Sequence, residues 1–319
     1  MKMRQPKIGL SKLCWLFGIT RQAYYQSFYR TEFVEIEEEL VLKQVISIRK
    51  NHPRIGTKKL HVMLEEFMLE HQIKMGRDSL FDLLSLHHLL IRRRRRKIVT
   101  TQSNHWMKKH PNLITDFITS APNQLWVSDI THWKTELGPL YISLITDVFS
   151  HKIVGYNLAQ NMEAVESLKA LQMAFSNNLE VQGLIHHSDR GSQYCSFKYV
   201  NLLQDYKVQI SMTQTGDPLD NAVAERINGI LKDEYLECYT VFTFEEANEL
   251  LIKVVDLYNQ ERPHMSIGNL TPQKVHIGEL QRGEQKWKNY YKKKYENNEN
   301  KAGVQVFLGI RTSEVIKKS

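Results

Sequence analysis

The sequence predicts an α/β domain, with helices packed on a sheet, preceded by an all-α basic region. Strand-like apolar runs alternate with helical patterns from about residue 123 onward. Net charge changes with region: +11 over residues 1–118, −8 over residues 119–283 and +5 over residues 284–319. A chain of 319 residues, 42% of them hydrophobic, is long enough for two or three domains. Basic arms around an acidic middle fit a polyanion partner and a carboxylate-bearing centre, although helix faces can also differ in charge by chance.

The N-terminal segment Gly9–Tyr29 has a helix-turn-helix pattern. Ser11 can cap a first helix, Gly18 interrupts it, and Thr20 can cap a second helix. The same pattern is typical of helical hairpins that have no role in DNA binding, and both interpretations stay open.

Two or three amphipathic helices are predicted over residues 34–90 of the basic region. We expect them to run from about Val34 to Lys50, from near Thr57, and from near Gly76. Residues 98–118 then read as a linker into the next domain.

Six consecutive cations close the helical region: Arg92, Arg93, Arg94, Arg95, Arg96 and Lys97. Such a run repels itself in a free chain and is stabilised by phosphates, whose condensed counterions are released on binding. We interpret it as a nucleic-acid contact; the alternative is a solvated helix end or a basic linker.

The α/β domain has a regular order of elements. LWVSDITHW reads as one strand, LYISLITDVFSHKIVGYNLA as two strands joined at residues 150–152, and GLIHHS and VQISMT as two more. Helices are predicted over residues 162–178, 196–205, 222–238 and 243–260. The order β-β-β-α-β-α-β-α-α is that of a sheet covered by helices.

Three acidic residues of this domain are candidates for chemistry. Asp129 is predicted at the end of a strand, Asp189 just past another strand, and Glu225 on a helix. The edge where strands end is where open α/β sheets place their ligands, although a single Asp there is more often a turn or a cap. Two Asp and one Glu suit Mg²⁺ or Mn²⁺ and can hold two ions for phosphoryl displacement.

The cysteines exclude a disulfide-stapled secreted protein. Cys14, Cys195 and Cys238 are dispersed, which fits a reducing cytosol and offers no zinc-site spacing. The opening residues lack the apolar core of a signal peptide, and no apolar run is long enough to span a bilayer. We therefore expect a cytoplasmic protein with no membrane partner.

Longer motifs give the sequence a family resemblance. Between Asp189 and Glu225 lie 35 residues, and with Asp129 upstream this resembles the D,D-35-E triad of retroviral-integrase-like transposases. WVSDIT, YISLITDVFSHKIVGY, IHHSDRGSQYCS, DNAVAERINGILKDEY and YNQERPHMSIGNLTP together resemble the IS-three family of insertion-sequence transposases. The resemblance covers about residues 123–276, and RIGTKKL and GRDSLFDLL upstream extend it.

The resemblance implies a ribonuclease H-like catalytic core and a DNA transposase that cleaves and joins the inverted-repeat ends of its element. It implies that Asp129, Asp189 and Glu225 hold Mg²⁺ or Mn²⁺, with two ions expected. The partners would be double-stranded DNA (element ends and target) and further copies of the chain. Members of the family are commonly fused to an upstream-frame helix-turn-helix, so a partner or fusion of that kind is a further expectation.

The expected domains are a helical DNA-binding region (1–97), a linker (98–118), an integrase-type core (119–283) and a basic tail (284–319).

Other residues near these motifs allow two interpretations. Lys232 lies seven residues after Glu225, two helical turns away, and can contact a phosphate or be an exposed lysine. Arg190 can reach phosphate or pair with an acid. Asn221 is expected to cap the helix of Glu225, and Arg262 and His264 to pack between helices rather than act in catalysis.

Two other functions compete with transposition. A DNA-binding regulator would keep the basic arms and carry an inactive integrase-like domain. A metal-dependent nuclease of the same fold would cleave DNA without joining it.

Overall fold

The computed structural model describes residues 9–91, 107–115, 117–178, 181–213 and 221–279. No helix within these ranges is long and apolar enough to cross a membrane.

Four helices form the N-terminal part of the described chain. They are α1 (Leu10–Leu16), α2 (Arg21–Asn51), α3 (Thr57–Glu70) and α4 (Arg77–Leu86). Thr20 caps α2 as predicted, since its hydroxyl accepts a hydrogen bond from the Ala23 amide at 3.0 Å. Gly18 lies in the turn between α1 and α2 with a φ of +66°, a backbone conformation that favours glycine.

Two of the predicted boundaries here are wrong. The expected short helix after Thr20 and the expected helix from Val34 to Lys50 are one helix of 31 residues. The joining sequence contains no glycine or proline, and its glutamates favour helix, so nothing interrupts the backbone hydrogen bonds. Ser11 lies inside α1, whose N-cap is Gly9.

The second half of α2 packs with α3 and α4 around a common apolar core. Its most buried members are Val41, Val45, Ile55, Leu60, Leu64, Leu80 and Leu84. Within each helix the two named residues are four positions apart, as a helix with one buried face requires, and Ile55 lies between α2 and α3.

A mixed five-stranded sheet forms the centre of the second part. Its strands are β1 (Leu125–Thr135), β2 (Gly138–Asp147), β3 (Ile153–Ala159), β4 (Ile185–Ser188) and β5 (Gln209–Met212). They lie in the order β3-β2-β1-β4-β5. The first three pair antiparallel as hairpins, and β4 and β5 join them in parallel. The predicted order of strands and helices is confirmed.

Helices cover both faces of the sheet. On one face lie α5 (Ala164–Asn177) and α6 (Phe197–Asp205), packed on Trp126, Ile145 and Val154. On the other lie α7 (Ala222–Ile230) and α8 (Phe244–Gln260), packed on Trp133, Ile142 and Leu144. A π-helical turn (Leu231–Tyr235) and a 3₁₀ turn (Leu236–Cys238) continue α7, and α9 (Pro272–His276) follows the 3₁₀ turn Met265–Ile267.

Other parts of the chain bond to both outer strands of the sheet. On β5, the Met212 amide donates to the Pro111 carbonyl at 3.1 Å, and the Leu113 amide donates to the Ser211 hydroxyl at 2.9 Å. On β3, the Asn259 side chain bonds both the amide and the carbonyl of Ile153, each at 3.0 Å. The segment before the sheet therefore lies against β5.

Gly155 allows α5 to approach β3 closely. A Cβ at this position would overlap the Ala170 carbonyl oxygen and lie 2.8 Å from the Ala174 Cβ. We expect Gly155→Ala to lower the free energy of unfolding by about 1–3 kcal/mol, because a helix backbone cannot move aside cheaply. Chemical denaturation would measure it. Gly76→Ser is the control, since Gly76 has open space around it and serine is a favourable N-cap; equal losses in both variants would contradict the packing argument.

Candidate active site

Asp129 and Asp189 leave the sheet side by side. Strands β1 and β4 run parallel, and their last paired residues are Ser128 and Ser188. Each aspartate is the next residue along its strand, so both carboxylates stand at the same edge. Asp189 follows β4 as predicted, whereas the prediction that Asp129 ends a strand is wrong, because β1 continues to Thr135 by pairing with β2.

Burial and neighbouring charges determine the electrostatics of Asp129. Its Oδ1 accepts a hydrogen bond from the Ile130 amide at 2.9 Å, and its Oδ2 accepts one from the Asn228 side chain at 2.7 Å. Burial and then the charges of Asp189 and Glu225 raise the pKa of Asp129 to about 7, against these two hydrogen bonds. The three acids are therefore close enough to repel one another, and a cation among them would relieve that repulsion.

A tight turn holds Asp189. Its Oδ1 accepts a hydrogen bond from the Gly191 amide at 2.9 Å. A Cβ on Gly191 would lie 2.9 Å from the same oxygen, so any larger residue would push the carboxylate aside. The DRG sequence therefore fixes this carboxylate by a short backbone contact.

Glu225 lies in the first turn of α7, with its side chain exposed. Among the described residues, its side chain is the least restrained of the three acids. Among those residues, no three His, Cys, Asp or Glu side chains are grouped closely enough to hold one metal ion. The backbone brings the three predicted acids to one edge of the sheet without placing their carboxylates in a closed ligand set.

Four polar atoms near the acids are buried without a hydrogen-bond partner among the described residues. They are the Ser188 and Tyr194 hydroxyl oxygens and the side-chain amide oxygens of Asn221 and Asn228. Each is a desolvated polar atom without a hydrogen bond, which costs free energy unless a ligand or a water molecule supplies one. Together with three carboxylates, they fit a hydrated hard cation such as Mg²⁺, which keeps several of its waters when bound to proteins.

Asn221 is not the side-chain cap that the sequence predicted. It occupies the N-cap position of α7, but its side chain makes no capping bond. Instead its amide donates to the Ser128 carbonyl at 3.2 Å. This bond ties the start of α7 to β1, next to Asp129.

A buried polar network supports the strands behind the aspartates. His186 Nε2 lies 2.7 Å from the Ser128 hydroxyl and 3.0 Å from the Tyr199 hydroxyl. Burial lowers the pKa of His186 from 6.5 to about 3, so its imidazole is neutral in the folded protein.

The buried imidazole of His186 predicts a loss of stability in acid. As pH falls below 6.5, the unfolded chain protonates this residue while the folded chain does not. The His186 contribution is therefore intact above about pH 6.5 and declines toward pH 3, by about 1.4 kcal/mol per pH unit.

Unfolding free energies measured from pH 7 to pH 4 should show a shallower slope in His186→Gln than in the wild type. His87→Gln is the control, because the His87 side chain is exposed. Equal slopes in wild type and His186→Gln would contradict the assignment.

The predicted DNA-contact residues have environments that differ from one another. Lys232 is half-buried in the π-helical turn, where burial, partly offset by Asp233, lowers the pKa of its side chain. The wider turn rotates it from the position that an unbroken α-helix would give. Arg190 is half-buried beside Asp189. The run from Arg92 to Lys97 lies outside the described residues.

Arg262 and His264 have the packing role that was expected. Arg262 is fully buried and forms a two-pronged ion pair with Glu234, at 2.8 and 2.9 Å. Its Nη1 lies 2.8 Å from His264 Nε2. The contact of Asn228 with Asp129 was not predicted; its one signal in the sequence is the position of Asn228 three residues after Glu225.

Two family models match the second part of the chain. Both describe an integrase core domain, one over residues 119–218 and the other over residues 206–272. The matched residues contain all three acids.

Two curated relatives from Shigella sonnei match most of the chain. The insertion element IS600 uncharacterized 31 kDa protein is 34% identical over 264 residues, covering 82% of this chain and 96% of the relative. The transposase for insertion sequence element IS629 is 32% identical over 278 residues, covering 85% of this chain and 92% of the relative.

Among solved structures, the HTLV-2 integrase catalytic core domain in complex with magnesium is similar to part of this chain. The match covers 49% of this chain and 98% of that one, with 21% identity and a TM-score of 0.40.

Proposed function

This chain belongs to the IS-three family of insertion-sequence transposases, and we propose that Asp129, Asp189 and Glu225 form its catalytic centre. It is a DNA transposase with an integrase core, and so a polynucleotidyl transferase of the DDE class. The observation that carries the site proposal is that the parallel strands β1 and β4 place Asp129 and Asp189 side by side, with the charge of Glu225 also acting on the buried Asp129.

The family uses divalent metal ions. We propose Mg²⁺ or Mn²⁺, two ions in the active complex, held by Asp129, Asp189 and Glu225. When bound, such ions acidify a coordinated water and stabilise both the attacking and the leaving oxygen of a phosphoryl transfer. Because Glu225 is exposed on the first turn of α7, its side chain has the freedom to complete the set.

The protein residues contribute positioning and charge. Asn228 and the Ile130 amide hold the two oxygens of Asp129, and the Gly191 amide holds Asp189, so that both acids keep one orientation. In the first reaction, water attacks a terminal phosphodiester, and the phosphorus–oxygen bond breaks to free a 3′-OH. In the second, that 3′-OH attacks a target phosphodiester in line and displaces its 3′ oxygen. Fixed geometry and charge neutralisation supply most of the rate enhancement of such transfers.

DNA is the partner of this transposase family, and the contacts that this chain makes to it are proposals. We propose that Lys232 and Arg190 contact phosphates next to the reacting bond. We assign the run from Arg92 to Lys97 to the phosphates of the flanking duplex. We propose as well that two or more copies of the chain bring two element ends together, with an upstream-frame helix-turn-helix as a further partner or fusion.

The arginine run predicts a specific salt dependence. Each phosphate contact contributes about 0.9 to the slope of log K against log salt concentration on duplex DNA. Replacing Arg92, Arg94 and Arg96 with Gln should reduce the slope by about 2–3 units and weaken binding across all sequences. The control replaces the exposed lysines Lys169, Lys198 and Lys207 of the acidic domain with Gln. A slope unchanged in the arginine variant, or reduced equally in both, would remove the run from the DNA surface.

A joining assay tests the proposed function. Purified protein is incubated with a labelled duplex carrying the terminal inverted repeat of its element and a supercoiled target, with Mg²⁺ or with EDTA. Joined products that require the metal are the expected result. Cleavage without joining would indicate the nuclease, and binding without cleavage the regulator.

A further inference from the structure

The helix that carries Glu225 continues into a turn that contacts the N-terminal part of the chain. It changes from α-helical to π-helical at Leu231 and becomes a 3₁₀ turn at Leu236. A π-helical turn is rare and is kept only where its contacts compensate for poorer hydrogen-bond geometry. The turn carries Lys232 and, two and three residues later, Glu234 and Tyr235, which contact the N-terminal part of the chain.

His52, just past the end of α2, joins two elements of the catalytic part. Its Nδ1 lies 2.8 Å from the Tyr235 hydroxyl, and its Nε2 lies 3.0 Å from a Glu261 carboxylate oxygen. Burial lowers the pKa of His52, although Glu261 opposes the shift. A neutral imidazole satisfies both contacts, because Nε2–H donates to the carboxylate and Nδ1 accepts from the tyrosine hydroxyl.

Lys59, in the first turn of α3, makes the second link. Its ammonium lies 3.2 Å from Glu234, which also pairs with the fully buried Arg262. Burial and the charge of Arg262 lower the pKa of Lys59 to about 8, whereas Glu234 raises it. These ionic contacts are partly buried, so losing one partner would leave a desolvated charge and would cost free energy.

We propose that His52 and Lys59 are positioning residues for catalysis: by holding Tyr235 and Glu234, they fix the π-helical turn and so the placement of Glu225 and Lys232. The N-terminal helices then act as a rigid support of the catalytic helix. This proposal rests on the assignment of Glu225 to the catalytic centre. Displacement of a catalytic group by about 1 Å is enough to cost about 10²-fold in rate.

The first test measures hydrogen exchange in the full-length chain without DNA. In Lys59→Met, amide protection across residues 226–235 should fall at least about tenfold, because local opening of this segment costs less free energy without the Lys59–Glu234 contact. Lys58→Met is the matched control, since Lys58 is the neighbouring lysine and is exposed. Unchanged protection in Lys59→Met would overturn the inference, whether or not the protein joins DNA.

The second test measures the single-turnover joining rate at saturating inverted-repeat DNA, beside the dissociation constant for the same DNA. Lys59→Met and Tyr235→Phe should lower the rate by about 10–100-fold with little change in DNA affinity. Lys59→Arg should restore most of the rate, because it keeps the ion pair with Glu234. Tyr235→Phe removes only the hydroxyl that meets His52, and it keeps the buried ring. A full rate in both variants, in a preparation whose wild type joins DNA, would overturn the inference and leave the proposed function intact.

Discussion

Replacing any one of Asp129, Asp189 or Glu225 with its amide is expected to lower both DNA cleavage and DNA joining by at least about 10³-fold. The amides keep the size of the side chains but remove the charge that holds a divalent cation. Since three ligands act as one unit, each single variant should lose nearly as much activity as the triple variant. DNA affinity should not fall, because the acids contribute repulsion rather than attraction to phosphate.

The measurement is the strand-transfer assay at saturating DNA and saturating Mg²⁺, with DNA affinity measured separately. Asp205→Asn and Glu249→Gln are matched controls, because both residues are exposed acids of the same part of the chain. Near-normal joining by any of the three amide variants would remove that residue from the catalytic centre. Loss of activity in the controls as well would point to a general effect of charge.

Removing Arg262 is expected to destabilise the fold more than any other single change considered. Arg262→Met would leave Glu234 half-paired, with Lys59 as its remaining partner. Breaking a buried ion pair on one side costs about 3–5 kcal/mol, because the other charge stays desolvated. The same buried pair holds the pKa of Glu234 below its usual range against the opposing effect of burial.

Urea unfolding of the full-length chain would measure this loss. Arg262→Met combined with Glu234→Leu and Lys59→Met should recover part of it, since all three charges are then removed together. Lys43→Met is the control, because Lys43 and its partner Glu39 are both exposed. A triple variant no more stable than Arg262→Met would contradict an ionic origin of the effect.

The elements of the sheet were predictable because their apolar patterns are local. Strand β4 ends just before Asp189 as the sequence indicates, and the parallel pairing of β1 and β4 then places the two acids together. The extent of β1 was not predictable, because it depends on how far β2 continues beside it.

Contacts between distant polar residues could not be read from the sequence. His52 meets Tyr235 across 183 positions and Lys59 meets Glu234 across 175, and each is one polar residue in an amphipathic pattern. The π-helical turn at Leu231 was also hidden, since a change in pitch over five residues barely alters hydrophobic periodicity. These features depend on tertiary packing, which selects among backbone conformations that the local sequence favours about equally.

The hydrogen bonds made to the two outer strands affect how easily those strands could pair with strands of another copy of the chain. Unpaired strand edges are templates for edge-to-edge aggregation, a hazard wherever many copies gather along one nucleic acid. Pro111 and Leu113 occupy β5, and Asn259 occupies the start of β3. A shortened chain beginning at residue 119 would keep every strand yet expose the edge of β5. The bonds of Pro111 and Leu113 thus leave less of the β5 edge open to pairing with a strand of another copy.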